Sequence, residues 1–320
     1  MHLLKRLRAI WRPATFQGWG KNRSYFEGWY FKMVSSDRTQ AWAFIPGISH
    51  GSDSHAFIQV IDGINARSQY HIFHIDQFKP SAETFSIAIG DNIFSDHAIT
   101  LNLPDISGHI DFSHVAKWKG SFLRPGIMGW YSFVPFMQCN HGLVSLDHNL
   151  NGTLKMQDKE LSFSGGKGYI EKDWGSSFPK SWIWTQCNNY QENQISVMAS
   201  VAHIPWITGS FIGFLALVWD GTNIKLFTTY TGATMQAAMR PDGVNLTFFD
   251  GESHLEIMAT QAPGADLVSP IQGNMTGKVN ESIGAKHHII YRRASGTIIE
   301  DTGVCAGLEI AGNTDILLTA

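Results

Sequence analysis

The sequence predicts an all-β protein made of antiparallel strands. Short runs rich in β-branched and aromatic residues recur along the chain, and glycine-containing turn signals such as Asp62-Gly63 and Asp220-Gly221 separate them. Short strands at regular spacing with turns of this kind are typical of antiparallel barrels and sandwiches. Helical periodicity is scarce beyond Phe26, so we expect a short helix at the N-terminus and little helix elsewhere.

The predicted strands form two groups. The first group covers residues 26–34, 41–48, 55–61, 69–77, 84–89 and 107–115. The second group covers residues 143–156, 159–173, 181–190, 194–202, 211–219, 224–230, 243–249, 253–260, 286–293 and 297–300. Residues 124–141 combine Gly and Pro with aromatic residues and show no clean alternation. We therefore expect this stretch to connect two barrel-like domains, residues 1–140 and 141–320.

The N-terminal segment, residues 2–12, has apolar residues at helical spacing opposite a basic face. The apolar positions are Leu3, Leu4, Leu7, Ile10 and Trp11, and the basic positions are Lys5, Arg6, Arg8 and Arg12. Such a helix either packs on the protein body or lies on an anionic membrane surface. The segment has no signal-peptide core, and the longest apolar run, residues 204–219, is too interrupted to span a bilayer. We expect a cytoplasmic protein, not secreted and without a transmembrane helix, with at most peripheral contact with the inner membrane surface.

The amino-acid composition favours some classes of binding partner and argues against others. Charged residues make up 16% of the 320 residues and aromatic residues 12%, whereas charged residues usually make up about a quarter. This composition has two explanations. The apolar side chains form a ligand pocket or a lipid-facing patch, or they fill a tryptophan-rich β core. The net charge of −3 and the lack of a basic domain argue against a nucleic-acid partner. Three widely spaced cysteines argue against a disulfide framework and fit a reducing compartment.

The stretch from residue 168 to residue 188 concentrates aromatic residues and carboxylates. Because strand side chains alternate between faces, residues two apart share a face. The first half of the stretch places on one face Tyr169, Glu171 and Asp173. After the turn at residues 175–179, the second half places on one face Trp182, Trp184, Gln186 and Asn188. An aromatic surface beside a carboxylate pair is suited to a substrate that is apolar and exchanges protons.

Glu171 and Asp173 are the strongest candidates for catalysis. If their face is buried, desolvation and mutual repulsion favour a protonated carboxyl group, which can act as a general acid. Nearby indole rings can stabilise a cationic intermediate. The alternative is a surface strand whose acids are solvated or paired with a base such as Lys172.

Other charged residues suggest structural roles. Glu27 lies among aromatic residues, so we expect it to be buried in a hydrogen bond or an ion pair that closes the barrel, with a role in the site as the second alternative. The same two alternatives hold for Glu309. The 14 histidines do not give a ligand set by spacing. His109 and Asp111 can share a strand face, but two ligands do not make a site. We therefore expect no metal.

These motifs together resemble the tocopherol cyclase family. The matching segments are residues 25–32, 168–175, 178–179, 182–188, 229–233 and 307–309. The resemblance implies two lipocalin-like barrel domains, an architecture shared with carotenoid hydratase-like proteins. It also implies an isomerase that needs no cofactor. The family's plant members close the chromanol ring of a prenylated hydroquinone. Without their plastid transit segment, this chain is similar to a bacterial-type member.

The resemblance also implies roles for individual residues. Glu171 would be the acid or its partner, with Asp173 as a second catalytic carboxylate. The residues expected to contact a small, apolar, prenylated substrate are Trp29, Tyr169, Trp174, Trp182, Trp184, Gln186 and Asn188, the last two orienting the hydroquinone oxygens. Two other functions stay open: a non-catalytic carrier of a quinone or isoprenoid, and a hydratase that adds water to an isoprenoid alkene.

Overall fold

The computed structural model describes residues 2–318 and confirms the all-β prediction. The one α-helix among these residues, α1 (His2–Ile10), is the predicted N-terminal helix. Short 3-10 helices cover Ile75–Gln77, Gly129–Phe133, Thr229–Thr231 and Thr314–Leu317. Within residues 2–318, no helix is both long enough and apolar enough to cross a membrane.

The first sheet has twelve antiparallel strands. They are β1 (Tyr25–Val34), β2 (Ala41–His50), β3 (His55–Asp62), β4 (Arg67–His74), β5 (Phe78–Pro80), β6 (Ser86–Ile89), β7 (Asn92–Ser95), β8 (Ala98–Leu103), β9 (Ile106–Ser113), β10 (Cys139–Met156), β11 (Lys159–Ser162) and β12 (Lys167–Gly175). Their order is β4-β3-β2-β1-β12-β10-β9-β8-β7-β6-β5, with β11 paired to β10. Strand β12 therefore lies between β1 and β10, near the middle of the sheet.

The second sheet has ten antiparallel strands. They are β13 (Trp182–Cys187), β14 (Ser196–Trp206), β15 (Gly209–Trp219), β16 (Ile224–Thr228), β17 (Thr234–Arg240), β18 (Gly243–Phe249), β19 (His254–Thr260), β20 (Ala265–Ile271), β21 (Asn274–Arg292) and β22 (Ile298–Ala311). Their order is β16-β15-β14-β13-β22-β21-β19-β18-β17, with β20 paired to β21.

Each sheet curls around a hydrophobic core of its own, which gives two lipocalin-like domains. In the first core, the ring of Phe31 on β1 lies 5.4 Å from the ring of Phe94 on β7, although four strands separate β1 from β7 in the sheet. In the second core, the ring of Phe214 on β15 lies 5.8 Å from that of Phe248 on β18. Such cross-sheet contacts require a curled sheet with side chains filling its interior.

The chain divides into two compact units whose limits differ from the expected boundary after residue 140. One unit comprises residues 1–62, 68–178 and 267–278, and the other residues 63–67, 179–266 and 279–320. The difference arises because β10 pairs with both β9 and β12, so residues 139–175 complete the first sheet. Residues 124–141 thus form a connection inside the first unit.

Strand prediction failed at one turn, although Ser164-Gly165-Gly166 is a turn signal, and it missed several strands. The run predicted over residues 159–173 is two strands, β11 and β12, because residues 163–166 turn between them. The predicted runs also missed β5, β7, β8, β17 and β20, which are three to seven residues long.

Candidate functional site

Strand β12 carries two different sets of side chains on its two faces. Ile170, which belongs to the hydrophobic core of the first unit, marks the core face, shared by Lys172 and Trp174. The opposite face carries Tyr169, Glu171 and Asp173, as the period-two pattern predicts. On the neighbouring strand β10, the residue directly across from Asp173 is His141. This pairing brings an imidazole to the carboxylates.

The polar cluster on this face comprises Tyr169, Glu171, Asp173 and His141. The Tyr169 hydroxyl donates a hydrogen bond to Glu171 Oε2 over 2.6 Å. His141 Nδ1 lies 2.9 Å from Asp173 Oδ1, and His141 Nε2 lies 3.5 Å from Glu171 Oε2. Only 5% of Glu171 is exposed, and Tyr169 is fully buried. The four side chains therefore form one cluster, buried at Tyr169 and Glu171 and partly exposed at Asp173, whose longest link is the 3.5 Å approach of His141 to Glu171.

Burial keeps the Tyr169 phenol protonated. Desolvation is the main cause that raises the pKa of Tyr169 well above its usual value, and the neighbouring Glu171 carboxylate raises it further. The phenol is therefore a hydrogen-bond donor to Glu171 at any physiological pH. On the other side of Glu171, a protonated His141 would have its charge balanced by two carboxylates. Glu171 can thus exchange a proton with a histidine while tyrosine fixes its orientation.

The same cluster could also hold a cation. One ligand atom from each of His141, Glu171 and Asp173 lies within 4.8 Å of the others. One imidazole nitrogen and two carboxylate oxygens are a common donor set for zinc and other divalent ions.

The core face of β12 contains a buried ion pair. Lys172 Nζ lies 2.6 Å from Glu27 Oε1, and both side chains are fully buried. The Lys172 ammonium also donates to the Pro13 carbonyl over 2.8 Å. Glu27 accepts hydrogen bonds from the backbone of residues 17 and 18 and from the hydroxyl of Tyr25. The pair thus ties residues 13–18 to strands β1 and β12, which is the structural role expected for Glu27.

Burial shifts both partners of this pair toward their neutral forms. Desolvation raises the pKa of Glu27, although Lys172 opposes the rise. Desolvation also lowers the pKa of Lys172 to about 8, although Glu27 opposes the fall. Because the two oppositely charged groups support each other, loss of either would leave the other charge buried alone.

Trp29 and Trp174 belong to this core face and not to the carboxylate cluster. The Lys172 ammonium lies 4.7 Å from the ring centres of both indoles, within cation–π distance. The Trp29 indole N–H donates to the Ala14 carbonyl over 2.8 Å. The structure therefore does not bring these two predicted substrate residues to the side of β12 that carries Glu171.

The remaining predicted residues lie in the second unit, on β13 and beyond it. Trp182 donates its indole N–H to Glu309 Oε2 over 2.6 Å, across β13 and β22. Trp184 and Gln186 are buried on the same face of β13 as Trp182, whereas Ile183 and Cys187 belong to the core of the second unit. The Gln186 amide lies 3.4 Å from Asn188 Oδ1. Three of the four predicted residues, Trp182, Trp184 and Gln186, thus share a face of β13 together with Glu309, whereas Asn188 follows the end of the strand.

The sequence did not single out His141 as a functional candidate, and it did not predict the buried structural position of Lys172. Only the pairing of β10 with β12 places His141 beside the carboxylates, and no local motif marks it. Lys172 alternates with the acids in sequence, so it suggested a surface salt bridge. Lys172 shares its strand face with Ile170 and Trp174. These two apolar neighbours could have predicted that its side chain points into the core.

A cavity of about 180 Å³ lies close to the cluster within the first unit. Its lining includes Trp11, Trp118 and Leu143. Leu143 is the β10 residue directly across from Glu171. The lining also includes the charged residues Arg12, Asp96 and Lys117, so the cavity has mixed polarity.

Comparison with known proteins agrees with the resemblance in the motifs. The model of the Tocopherol cyclase-like family matches residues 105–312, more than half of the chain. A chloroplastic tocopherol cyclase of Zea mays is 20% identical over a match that covers 53% of this chain and 47% of the maize protein. The match thus spans about half the length of that relative.

Solved structures support the fold. The crystal structure of CghA with Sch210972 superposes with a TM-score of 0.58 at 10% identity, covering 90% of this chain and 89% of that chain. An AttH candidate from Nitrosomonas europaea has a TM-score of 0.50 at 13% identity, covering 91% and 93%. At such low identity these two likenesses concern the lipocalin-like architecture alone.

Proposed function

Because the chain belongs to the Tocopherol cyclase-like family, we propose that it is an enzyme that cyclises a prenylated hydroquinone by adding a proton to its alkene. The observation that carries the proposal is the buried Glu171 carboxyl group, held between the Tyr169 hydroxyl and the His141 imidazole. A general acid needs such a dry, oriented carboxyl group with a route for replacing its proton.

The proposed reaction is an isomerisation. Glu171, in its protonated form, donates its proton to one alkene carbon, and a tertiary carbocation forms at the other carbon. The phenol oxygen of the substrate then bonds to this carbon and closes the ring. The phenol proton leaves and restores the acid. All atoms of the substrate are retained, and the reaction consumes neither an oxidant nor a reductant.

His141 and Asp173 act in the proposal as the route for that proton. The Nε2 atom of His141 faces Glu171, while its Nδ1 atom is held by Asp173. Asp173 thereby orients the imidazole and balances its charge when it carries a proton. Tyr169 positions Glu171 through its short hydrogen bond.

Ligand binding by the second unit through Trp182, Trp184, Gln186 and Asn188 is a separate part of the proposal. Indole rings can hold a prenyl chain and stabilise a carbocation, and amide groups can hydrogen-bond hydroquinone oxygens. Alanine substitutions at these four positions should weaken substrate binding, measured by the quenching of tryptophan fluorescence for the two amides and by calorimetry for the two tryptophans.

The proposal is tested by mass spectrometry of the products. Purified protein is incubated with a prenylated hydroquinone in detergent, beside the Glu171→Gln variant and a matched control, Glu160→Gln, which removes an exposed carboxylate from β11. We expect a product of unchanged mass and altered retention time from the wild type and from Glu160→Gln, and none from Glu171→Gln.

Other results would identify the other functions. A product heavier by one water molecule would show that the protein is a hydratase and not a cyclase. If the wild type and Glu171→Gln bind the hydroquinone with equal affinity and leave it unchanged, the protein is a carrier and not an enzyme.

A further inference from the structure

We propose that the first unit docks on an anionic phospholipid bilayer through an exposed apolar surface formed by α1 and the turn at residues 121–124. We call this the docking surface and define it by Leu3, Leu4, Leu7, Trp11, Phe122 and Leu123. The inference does not depend on the proposed cyclase activity, because it rests on the exposure of these side chains and on the charges around them, not on the carboxylate cluster.

Helix α1 is oriented with its apolar stripe toward solvent. Leu3 is 68% exposed, Leu4 64% and Leu7 47%. The helix packs on the body through a different side, where Ala9 is buried and the Lys5 ammonium lies 4.0 Å from the ring centre of Trp19. A helix that only packed on the body would bury its leucines. The helix therefore packs on the body through one side and leaves its leucines exposed, as the second of the two explanations, contact with a membrane surface, requires.

The turn at residues 121–124 extends the same surface. Phe122 is 75% exposed and Leu123 71%. Backbone hydrogen bonds between Ser121 and Arg124, in both directions, hold these two side chains at the tip of the turn. Two apolar side chains at the tip of an ordered turn are suited to insertion into an interface.

Trp11 joins the helix to the turn. Its indole ring stacks on Phe122 with ring centres 5.5 Å apart, and its N–H donates to the Phe122 carbonyl over 3.0 Å. It also lies 5.9 Å from the ring of the exposed Phe133. The helix and the turn therefore form one continuous apolar surface. Tryptophan is enriched at the membrane–water interface, where its ring meets apolar chains and its N–H meets polar groups.

The basic residues around the docking surface favour an anionic binding partner. Residues 2–26 contain six Lys and Arg and no Asp or Glu, and residues 113–140 contain three Lys and Arg and again no acid. The chain as a whole has a net charge of −3, so this positive charge is local. Lys117 is paired with Asp96, and Arg12 donates to the backbone of Glu83. Arg6, Arg8, Lys119 and Arg124 are exposed at the rim.

An apolar surface with a basic rim matches an anionic bilayer better than it matches a second copy of the chain. Two copies meeting at this surface would bring like charges together, which disfavours association. A bilayer containing anionic lipid accepts the apolar side chains and attracts the basic rim at the same time.

The test is flotation of the full chain with vesicles of phosphatidylcholine, alone or mixed with phosphatidylglycerol. We expect binding to the mixed vesicles and much weaker binding to phosphatidylcholine alone. Arg6→Gln/Arg8→Gln should weaken binding to the mixed vesicles about 30-fold, because each basic residue near an anionic surface contributes roughly fivefold. Phe122→Ser/Leu123→Ser should also abolish most binding.

The matched control is Ile72→Ser/Ile93→Ser, which removes two exposed apolar side chains of the first unit that lie outside the docking surface. It should bind like the wild type. The proposal is overturned if the wild type binds neither vesicle, or if every variant binds equally. It is also overturned if size-exclusion chromatography shows a dimer that Phe122→Ser/Leu123→Ser converts to a monomer, since the surface would then be covered by a second copy. Thermal unfolding of each variant verifies that it is folded.

Discussion

Glu27 and Lys172 form an ion pair in which both side chains are fully buried, with Oε1 and Nζ 2.6 Å apart across strands β1 and β12. This pair lies on the opposite face of β12 from Glu171. One strand thus uses alternate residues for two purposes: one set holds the barrel together, and the other presents the carboxylate cluster.

Removing one partner of this pair should destabilise the first unit. Glu27→Gln leaves the Lys172 ammonium buried without its counter-charge, so we expect the free energy of unfolding to fall by about 3–5 kcal/mol in urea titrations. Glu27→Gln/Lys172→Met should cost less than the single variant, because it leaves no unpaired charge. A loss below about 1 kcal/mol for Glu27→Gln would contradict a structural role for the pair.

The hydrogen bond from Tyr169 to Glu171 should contribute to turnover more than to folding. Tyr169→Phe removes only the hydroxyl, and we expect kcat to fall roughly 10- to 100-fold, the effect of losing one hydrogen bond to a charged or reacting group. Tyr70→Phe is the matched control, because the Tyr70 hydroxyl is bonded to His55 Nε2 over 2.8 Å, outside the cluster. Equal kcat values for Tyr169→Phe and Tyr70→Phe would show that the Tyr169 hydroxyl has no role in turnover.

His141 should be needed for turnover but not for substrate binding. His141→Gln interrupts the route from Asp173 to Glu171, and we expect kcat to fall by about 100-fold or more while KM changes little. His109→Gln is the control, because His109 has a similar contact with Asp111, 3.1 Å, at an exposed position. A wild-type kcat for His141→Gln would show that the proton takes another route.

His148 should make the folded state sensitive to acid. Burial, and then the charge of Lys167, lower the pKa of His148 from 6.5 to about 3. The unfolded chain therefore binds a proton below pH 6.5 that the folded chain does not bind, and stability falls as pH decreases from 6.5 toward 3. The slope is ~1.4 kcal/mol per pH unit for one proton.

His148→Asn should remove this part of the slope. Urea titrations of the wild type and the variant between about pH 4 and about pH 7 measure the difference. Parallel pH dependences would show that His148 does not titrate as a buried neutral group.

Period-two alternation was sufficient to assign the faces of β12 and β13. Tyr169, Glu171 and Asp173 share one face, and Trp182, Trp184 and Gln186 share another, because alternation is a local property of any strand. The resemblance of the motifs supplied the family and the lipocalin-like architecture. Composition and helical spacing supplied the N-terminal helix.

Long-range pairing could not be predicted in the same way. His141 meets Asp173, and Trp182 meets Glu309 over 127 residues, only because particular strands are neighbours in a sheet. The expected boundary after residue 140 differed from the observed units for the same reason: nothing local to residues 139–156 says that β10 pairs with β9. Trp174 was assigned to the pocket through the resemblance, but it lies three residues from Glu171, and an odd separation along a strand places two side chains on opposite faces.

The central claim is that Glu171 gives a proton to an alkene carbon, and the most direct measurement is turnover in deuterium oxide. The acid exchanges with solvent before each turnover, so the wild type should form a cyclic product with one deuterium fixed on carbon, and Glu171→Gln should form none. A product without carbon-bound deuterium, or the same labelled product from Glu171→Gln, would contradict the claim.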